Sequence, residues 1–294
     1  MTTVKQHYVS QFYLKKFSVS SNHLIDAFLK QQNKFINTNA KNICYRKYFY
    51  NPDDVTKFNK LIIEQASRYN LSIPNELLAH GQYIESEFLT ALETTTSNCL
   101  YKILESSNGI ILQDDRFRVC IMMFFVNLHA RSPYLRDKYE SYFEQRREAY
   151  KKFPQHIQDE FNHVLEKSPK EQQISEIIDM RYYFDDIIQR SKYEWSLAVL
   201  NEDNTFFIGD NFTYLYNLKE LCIPISLDKA ILIRPKNPNQ RKLYTEKTNK
   251  KYLTKLNERS YFICSTFQDA NSEVLVGDKD SIGKYMNIQN GLKF

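Results

Sequence analysis

The sequence predicts an α+β fold in which a predominantly helical central region packs on a small sheet formed by an N-terminal hairpin and C-terminal strands. Three observations carry that expectation. Glycine and proline are scarce, at six and eight in 294 residues, so turns are few and elements long. From about residue 55 to 195 apolar residues recur at helical spacing. After Trp195 the texture changes to short apolar runs divided by turn residues. No internal repeat and no low-complexity linker interrupts the chain, so residues 1–294 are expected to form one domain: a hairpin over 22–50, a helical region over 55–195 and a strand-rich region over 196–294.

Taken in order, residues 22–50 hold two apolar-alternating runs around a polar "QQNK" centre, the pattern of a β-hairpin. "NPDD" at 51–54 marks a turn in which Asp53 or Asp54 caps the next helix. At 100° per residue, Ile84, Phe88, Leu89, Leu92, Cys99 and Ile103 share one apolar face. The run "RFRVCIMMFFVNLHARSP" is apolar nearly all round between Val119 and Val126, so it is expected to be the central buried helix, ending near Arg131. Ser132 and Pro133 read as the N-cap and first-turn proline of a charged helix, and "SPKEQQISEII" at 168–178 starts another in the same way. "SLAVLN", "TFFIGDN", "LCIPISL" and "AILIRP" are β-like; a lysine-rich helix is expected over 243–258, then strands at "SYFIC" and "EVLVGD".

Hydrophobic residues at 42% and charged residues at 26% are a globular composition. The net charge of +5 and pI of about 8.7 suit an anionic partner, but a solvated surface with a small lysine excess explains them too. The five cysteines, Cys44, Cys99, Cys120, Cys222 and Cys264, are widely spread without a CxxC pair; Cys99, Cys120 and Cys222 sit in apolar runs and read as small buried hydrophobes. That usage suits a reducing compartment, and no apolar run is long enough to span a membrane, so a cytoplasmic protein without membrane contact is expected. Phosphate-loop, dinucleotide, zinc-protease, serine-hydrolase and zinc-finger motifs are all missing. The six histidines form no i,i+3 or i,i+4 pair, so no helix-borne metal pair is expected, and the sequence names no cofactor.

Arg131 shares the helical wheel with Phe117, Ile121, Phe124 and Leu128, and Asn127 lies one turn before it. A guanidinium on the apolar side of a buried helix needs a carboxylate or an anionic ligand. It is therefore either a strut between helices or an anion clamp. Glu85, inside the apolar face of the earlier helix, and Glu93, just beyond its edge, are the candidate partners. Asp210 and Asn211 close a β-like run at a turn, where side chains often bond their own backbone and where sites also gather. The opening "QHYVSQFYLKKFS", residues 6–18, is too aromatic for a frayed end.

The segments "HYVSQFYLKKFS", "YFYNP…YIESEFLTALE", "FFVNLHARSPYLR" and "FFIGDNF…LCIPISL" together resemble, in that order, the family called domain of unknown function 4238 (DUF4238), over roughly residues 6–280. The family opening usually has proline where this chain has Ser10. Its usual Ser-Asp-Asn-Pro keeps Asp210 and Asn211 here but replaces the outer residues by Gly209 and Phe212. Its usual Gln before Arg-Thr-Pro is Asn127 before Arg131-Ser132-Pro133. The family has no assigned activity; its members look like soluble bacterial proteins, some in mobile or defence-related gene neighbourhoods.

The resemblance implies that the ordered N-terminal segment walls a site. His7 is expected to meet Arg131, Asp210, Asn211 and a glutamate of the 85–93 helix, with Phe12, Tyr13 and Phe17 pinning the segment to the core. In that arrangement His7 is a general acid–base, Arg131 holds a phosphate or carboxylate, and Asp210 orients His7 or binds a metal ion. Glu85 joins them as a catalytic carboxyl, and Gln11, Tyr13, Asn127 and Asn211 contact substrate. The expected function is a bacterial defence or toxin-like effector: a metal-independent nuclease cleaving phosphodiester bonds of RNA or DNA. The alternatives are a non-catalytic module that binds nucleic acid or an anionic ligand, and a scaffold in which these residues only brace the fold.

Overall fold

A computed structural model of the chain describes residues 5–20, 24–68, 84–106, 108–165, 168–179, 181–200, 204–212, 220–235, 246–247, 253–256 and 258–291. It is α+β and mostly helical. The N-terminal part runs β1 (Lys5–His7), α1 (Gln11–Leu14), β2 (Leu24–Leu29), β3 (Lys34–Asn39) and β4 (Tyr45–Lys47). The helical region runs α2 (Val55–Arg68), a wide π-type turn (Ile84–Leu89) leading into α3 (Thr90–Glu105), α4 (Asp115–Ala130), α5 (Pro133–Tyr150), α6 (Gln155–Leu165), α7 (Pro169–Ile178) and α8 (Arg181–Ser191). Then come β5 (Glu194–Val199), β6 (Phe207–Gly209), β7 (Leu221–Pro224), β8 (Lys229–Arg234), β9 (Glu246–Lys247), β10 (Leu253–Lys255), α9 (Glu258–Asp269), β11 (Val274–Gly277) and α10 (Lys279–Gly291).

The expected hairpin is β2 and β3, closed through Asn33, whose φ of 47° is left-handed and suits asparagine. It meets β11 and β6 in a four-stranded antiparallel sheet of order β3-β2-β11-β6, with Leu275 opposite both Phe28 and Gly209. This is the predicted junction of N-terminal hairpin and C-terminal strands. The remaining late strands form a second sheet, β7-β8-β5-β10-β9, and β1 pairs with β4 alone. Every residue of β7 and all but the first of β8 are buried, so these two strands are covered on both faces, which their unbroken apolar runs demand.

Helix starts follow their caps. The Asp54 Oδ1 accepts from the Lys57 N–H (3.0 Å), and Ser168 with Glu171 forms a reciprocal capping box. α4 is the central buried helix, with Phe124, Phe125, Val126, Leu128 and Ala130 fully enclosed. Tyr13 stands among Phe17, Phe124, Phe125 and Phe212 with ring centroids 5.4–6.2 Å apart.

Two expectations are corrected. "SYFIC" lies inside α9 and not in a strand: a short apolar run fits a buried helix as well as a strand. The span 243–258 is not one helix. Its described part contains β9, antiparallel to β10, and β10, parallel to β5, and α9 begins only at Glu258; pairing with a buried edge overrides the lysine-rich pattern, and the rest of the span lies outside the described residues. Cys99 and Cys120 are half-buried rather than enclosed, whereas Cys222 is fully buried. Among the described residues no helix is long and apolar enough to cross a membrane.

Candidate functional site

The first strand is tied down at each residue. Gln6 donates from Nε2 to Asn51 Oδ1 (2.8 Å) and accepts from the Tyr50 N–H (2.6 Å). The Tyr50 hydroxyl donates to the His7 carbonyl (3.0 Å), and that of Tyr13 to the Pro224 carbonyl (2.5 Å). These bonds fix the backbone that carries His7, Ser10 and Gln11.

They wall a small chamber of about 120 Å³ together with the π-type turn, α3 and the end of α4. His7, Gln11, Glu85, Leu89, Thr90, Glu93 and Arg131 line it. Arg131, the C-terminal capping residue of α4, is 1% exposed. Its Nη1 donates to Glu93 Oε1 (2.8 Å) and its Nη2 to Ser10 Oγ (2.7 Å), and Ser10 Oγ donates to the same Glu93 oxygen (2.6 Å). Guanidinium, hydroxyl and carboxylate thus form a closed ring of charge-assisted bonds.

The wide turn explains how two glutamates face one chamber. On a regular α-helix of 3.6 residues per turn, Glu85 and Glu93 stand about 80° apart. An i→i+5 turn takes up one more residue per turn and rotates Glu85 back toward the side of Glu93. The Thr90 hydroxyl, donating to the Glu85 carbonyl five residues back (2.9 Å), secures it.

The groups of the chamber do not share one protonation logic. Burial pushes the Glu85 carboxyl up to about 7; the nearby Arg131 opposes this and Glu93 reinforces it. Its Oε2 is buried without a hydrogen-bond partner. Burial also lowers the pKa of His7, with the Lys41 and Ala40 carbonyls and Glu93 countering in part and Arg131 adding to it. His7 Nδ1 is 3.4 Å from Gln11 Nε2, and Nε2 is buried without a partner of hydrogen-bond geometry. Burial alone would lower the pKa of Arg131, yet Tyr50, Glu93 and Glu85 keep it above its ordinary value. The Nε of Arg131 also lacks a partner.

Asp210 and Asn211 stand elsewhere. They line a second cleft of about 50 Å³ with Ser132, Tyr134, Asp137 and Glu273. Asp210 accepts from the Glu273 N–H (2.9 Å) and the Tyr8 hydroxyl (3.3 Å), and burial raises its carboxyl to about 6. Asn211 accepts from the Ser132 hydroxyl (3.2 Å) and donates to the Ala270 carbonyl (3.2 Å). The expected meeting of His7 with Asp210 is therefore replaced by contact at one remove. Asp210 holds Tyr8, the neighbour of His7, and Asn211 holds Ser132, the neighbour of Arg131. A Cβ on Gly209 would lie 1.8 Å from the Gln268 carbonyl oxygen, so the serine usual in the resembled motif has no room here.

Of the expected substrate contacts, Gln11 lines the chamber. Tyr13 is wholly enclosed in the core, and Asn127, also enclosed, donates to the Ile177 carbonyl (3.3 Å) outside the chamber. Ser10 and Thr90 entered through the structure, and Glu93, placed at the edge of its face by a regular wheel, is the ion-pair partner. Among the described residues no three His, Cys, Asp or Glu side chains are grouped to hold a metal ion.

Comparison with curated proteins and with solved structures finds no match. A family model does match, over residues 5–280, and it is described as a protein of unknown function, DUF4238. That span contains both clefts and every strand, and on it the chain belongs to the DUF4238 family.

Proposed function

We propose that the chamber is the active centre of a hydrolase that cleaves phosphodiester bonds, a nuclease of the kind that serves bacterial defence or toxin-like effectors. The supporting observation is the pairing of His7 and Glu85 around one cavity, each held toward its uncharged form, so that a free base and a proton-bearing acid coexist near neutrality.

In this reading the Gln11 amide, turned to present its oxygen, accepts from His7 Nδ1–H, and Nε2 takes the proton of the attacking hydroxyl or water. Glu85 gives its proton to the leaving oxygen. Arg131, immobilised by Glu93 and Ser10, offers its Nε–H to the charge that develops on phosphorus-bound oxygen. The volume suits a single phosphoryl group.

The test is incubation of purified protein with labelled RNA and DNA. His7→Ala and Glu85→Gln are each expected to cut about 100-fold more slowly while unfolding at temperatures close to wild type. Cleavage at wild-type rate by both variants overturns the reading. A second reading, a module that binds an anionic ligand without turnover, draws on the buried guanidinium of Arg131, whose Nε has no partner among the described residues. It predicts a rise in melting temperature with nucleotides or anionic metabolites and no product.

A further inference from the structure

Outside the chamber, the most organised chemistry lies on α5. Tyr134, Lys138, Tyr142, Arg146 and Tyr150 recur at every fourth residue. The Lys138 ammonium stands 5.2 Å from the Tyr134 ring centroid, and the Arg146 guanidinium 5.5 Å and 5.7 Å from those of Tyr142 and Tyr150. Arg146 also donates to both tyrosine hydroxyls (3.2 and 3.4 Å). Just past the helix, the Phe153 ring lies 5.8 Å from that of Tyr150. Tyr142 and Phe153 remain 52% and 50% exposed.

Glu140, Glu144 and Glu148 fall two residues out of step with the ladder, hence about 200° round from the rung before at 3.6 residues per turn. Arg147 lies on their side of the helix and Lys151 pairs with Glu148 (2.5 Å), so Lys138 and Arg146 are the cations left beside the rings. Cation–ring pairs four residues apart steady a helix by themselves. That role accounts neither for rings left half in water nor for carboxylates kept off their flank.

We infer that this flank of α5 is a docking track for single-stranded nucleic acid. Unpaired bases stack on Tyr142 and Phe153, and Lys138, Arg146 and the exposed Lys152 meet the phosphates. A single strand is favoured over a duplex because stacking on a side chain needs bases free of their partners. The ladder spans about 24 Å at 1.5 Å per residue and begins at Tyr134, which lines the cleft of Asp210 and Asn211 rather than the chamber. The track rests on the nuclease reading for its purpose, delivery of a strand to be cut, but not for binding itself.

The measurement is fluorescence anisotropy with a short labelled oligonucleotide, as single-stranded RNA, single-stranded DNA and duplex, at two salt concentrations. Wild type and Glu85→Gln are expected to bind the single strands alike and the duplex more weakly. Tyr142→Ala is expected to bind about ten-fold more weakly, with Tyr142→Phe close to wild type. Lys138→Ala is expected to weaken binding of all strands similarly and to lower the salt slope by about one. The inference is overturned if Tyr142→Ala binds as wild type, if duplex binds as well as single strand, or if vesicles of anionic lipid rather than oligonucleotides show the Tyr142 dependence. Ring-dependent strand binding without cleavage leaves the track standing and removes the nuclease. Cleavage by Tyr142→Ala with unchanged KM and affinity does the reverse.

Discussion

Glu85 makes stability depend on pH. Its carboxyl is raised from 4.5 to about 7 by burial, so between those values the folded chain holds a proton that the unfolded chain has released. The stabilisation is complete below about pH 4.5 and is lost as pH rises through 7. Glu85→Gln, which keeps the shape and cannot ionise, is therefore expected to be more stable than wild type at pH 8, on the order of 1 kcal/mol after allowance for its partial exposure, and to show no gain at pH 4. Urea unfolding at the two pH values checks this. The same two groups shape a rate profile. If the chamber hydrolyses phosphodiesters as proposed, initial cleavage rates measured across pH are expected to rise as His7 deprotonates, below its ordinary 6.5, and to fall as Glu85 ionises near 7, a bell with its top on the acid side of neutrality.

Arg131 and Ser10 call for a different experiment. Arg131→Ala leaves the Glu93 carboxylate facing a void and is expected to cost about 3 kcal/mol in denaturant unfolding, the low end for a buried pair because Glu93 is 28% exposed. Ser10 has φ of −60° and ψ of 133°, which proline adopts without strain. Ser10→Pro is thus expected to fold, the loss of the hydroxyl from the Arg131–Glu93 ring offsetting the entropy gain to within about 1 kcal/mol.

At the scale of elements, β6 and α9 meet closely at Gly209. Gly209→Ala forces a Cβ against the Gln268 carbonyl and is expected to cost about 2–3 kcal/mol, read as a drop in melting temperature, although the position does not line the chamber.

What could be read from the sequence divides along the same line. The hairpin around Asn33, the central helix ending at Arg131 and the Ser168 start are set by neighbours a few residues away, and periodicity or a cap reveals them. That Glu85 and Glu93 share one chamber depends on one wide turn at Ile84–Leu89, which a regular helical wheel cannot anticipate. The helical state of "SYFIC" and the strand at Leu253–Lys255 depend on contacts with residues far along the chain. Asp210 follows β6 as its turn residues predict, but it lines a cleft other than the chamber and reaches His7 only through Tyr8, a separation no motif encodes. His7, Gln11, Glu85 and Arg131 line one chamber; burial of a guanidinium demands a counter-charge and an aromatic N-terminal stretch demands a surface to lie on, while the grouping of the two came from the family resemblance.

At the scale of the whole molecule, β2 receives β3 on one edge from its own hairpin and β11 on the other from a segment more than 240 residues later. Until Gly277 has left the ribosome, that second edge of β2, with Ile25, Ala27 and Phe28 along it, has nothing to bond. A growing chain of this kind carries an unpaired strand edge until that late segment emerges, the kind of edge on which misassembly starts. Should the chamber cut the cell's own nucleic acid, this order of assembly is also a safeguard. Asp210, which holds Tyr8 beside His7, and Gly209 before it gain their partners Glu273 and Leu275 only when β11 arrives, so the segment that carries His7 is braced last.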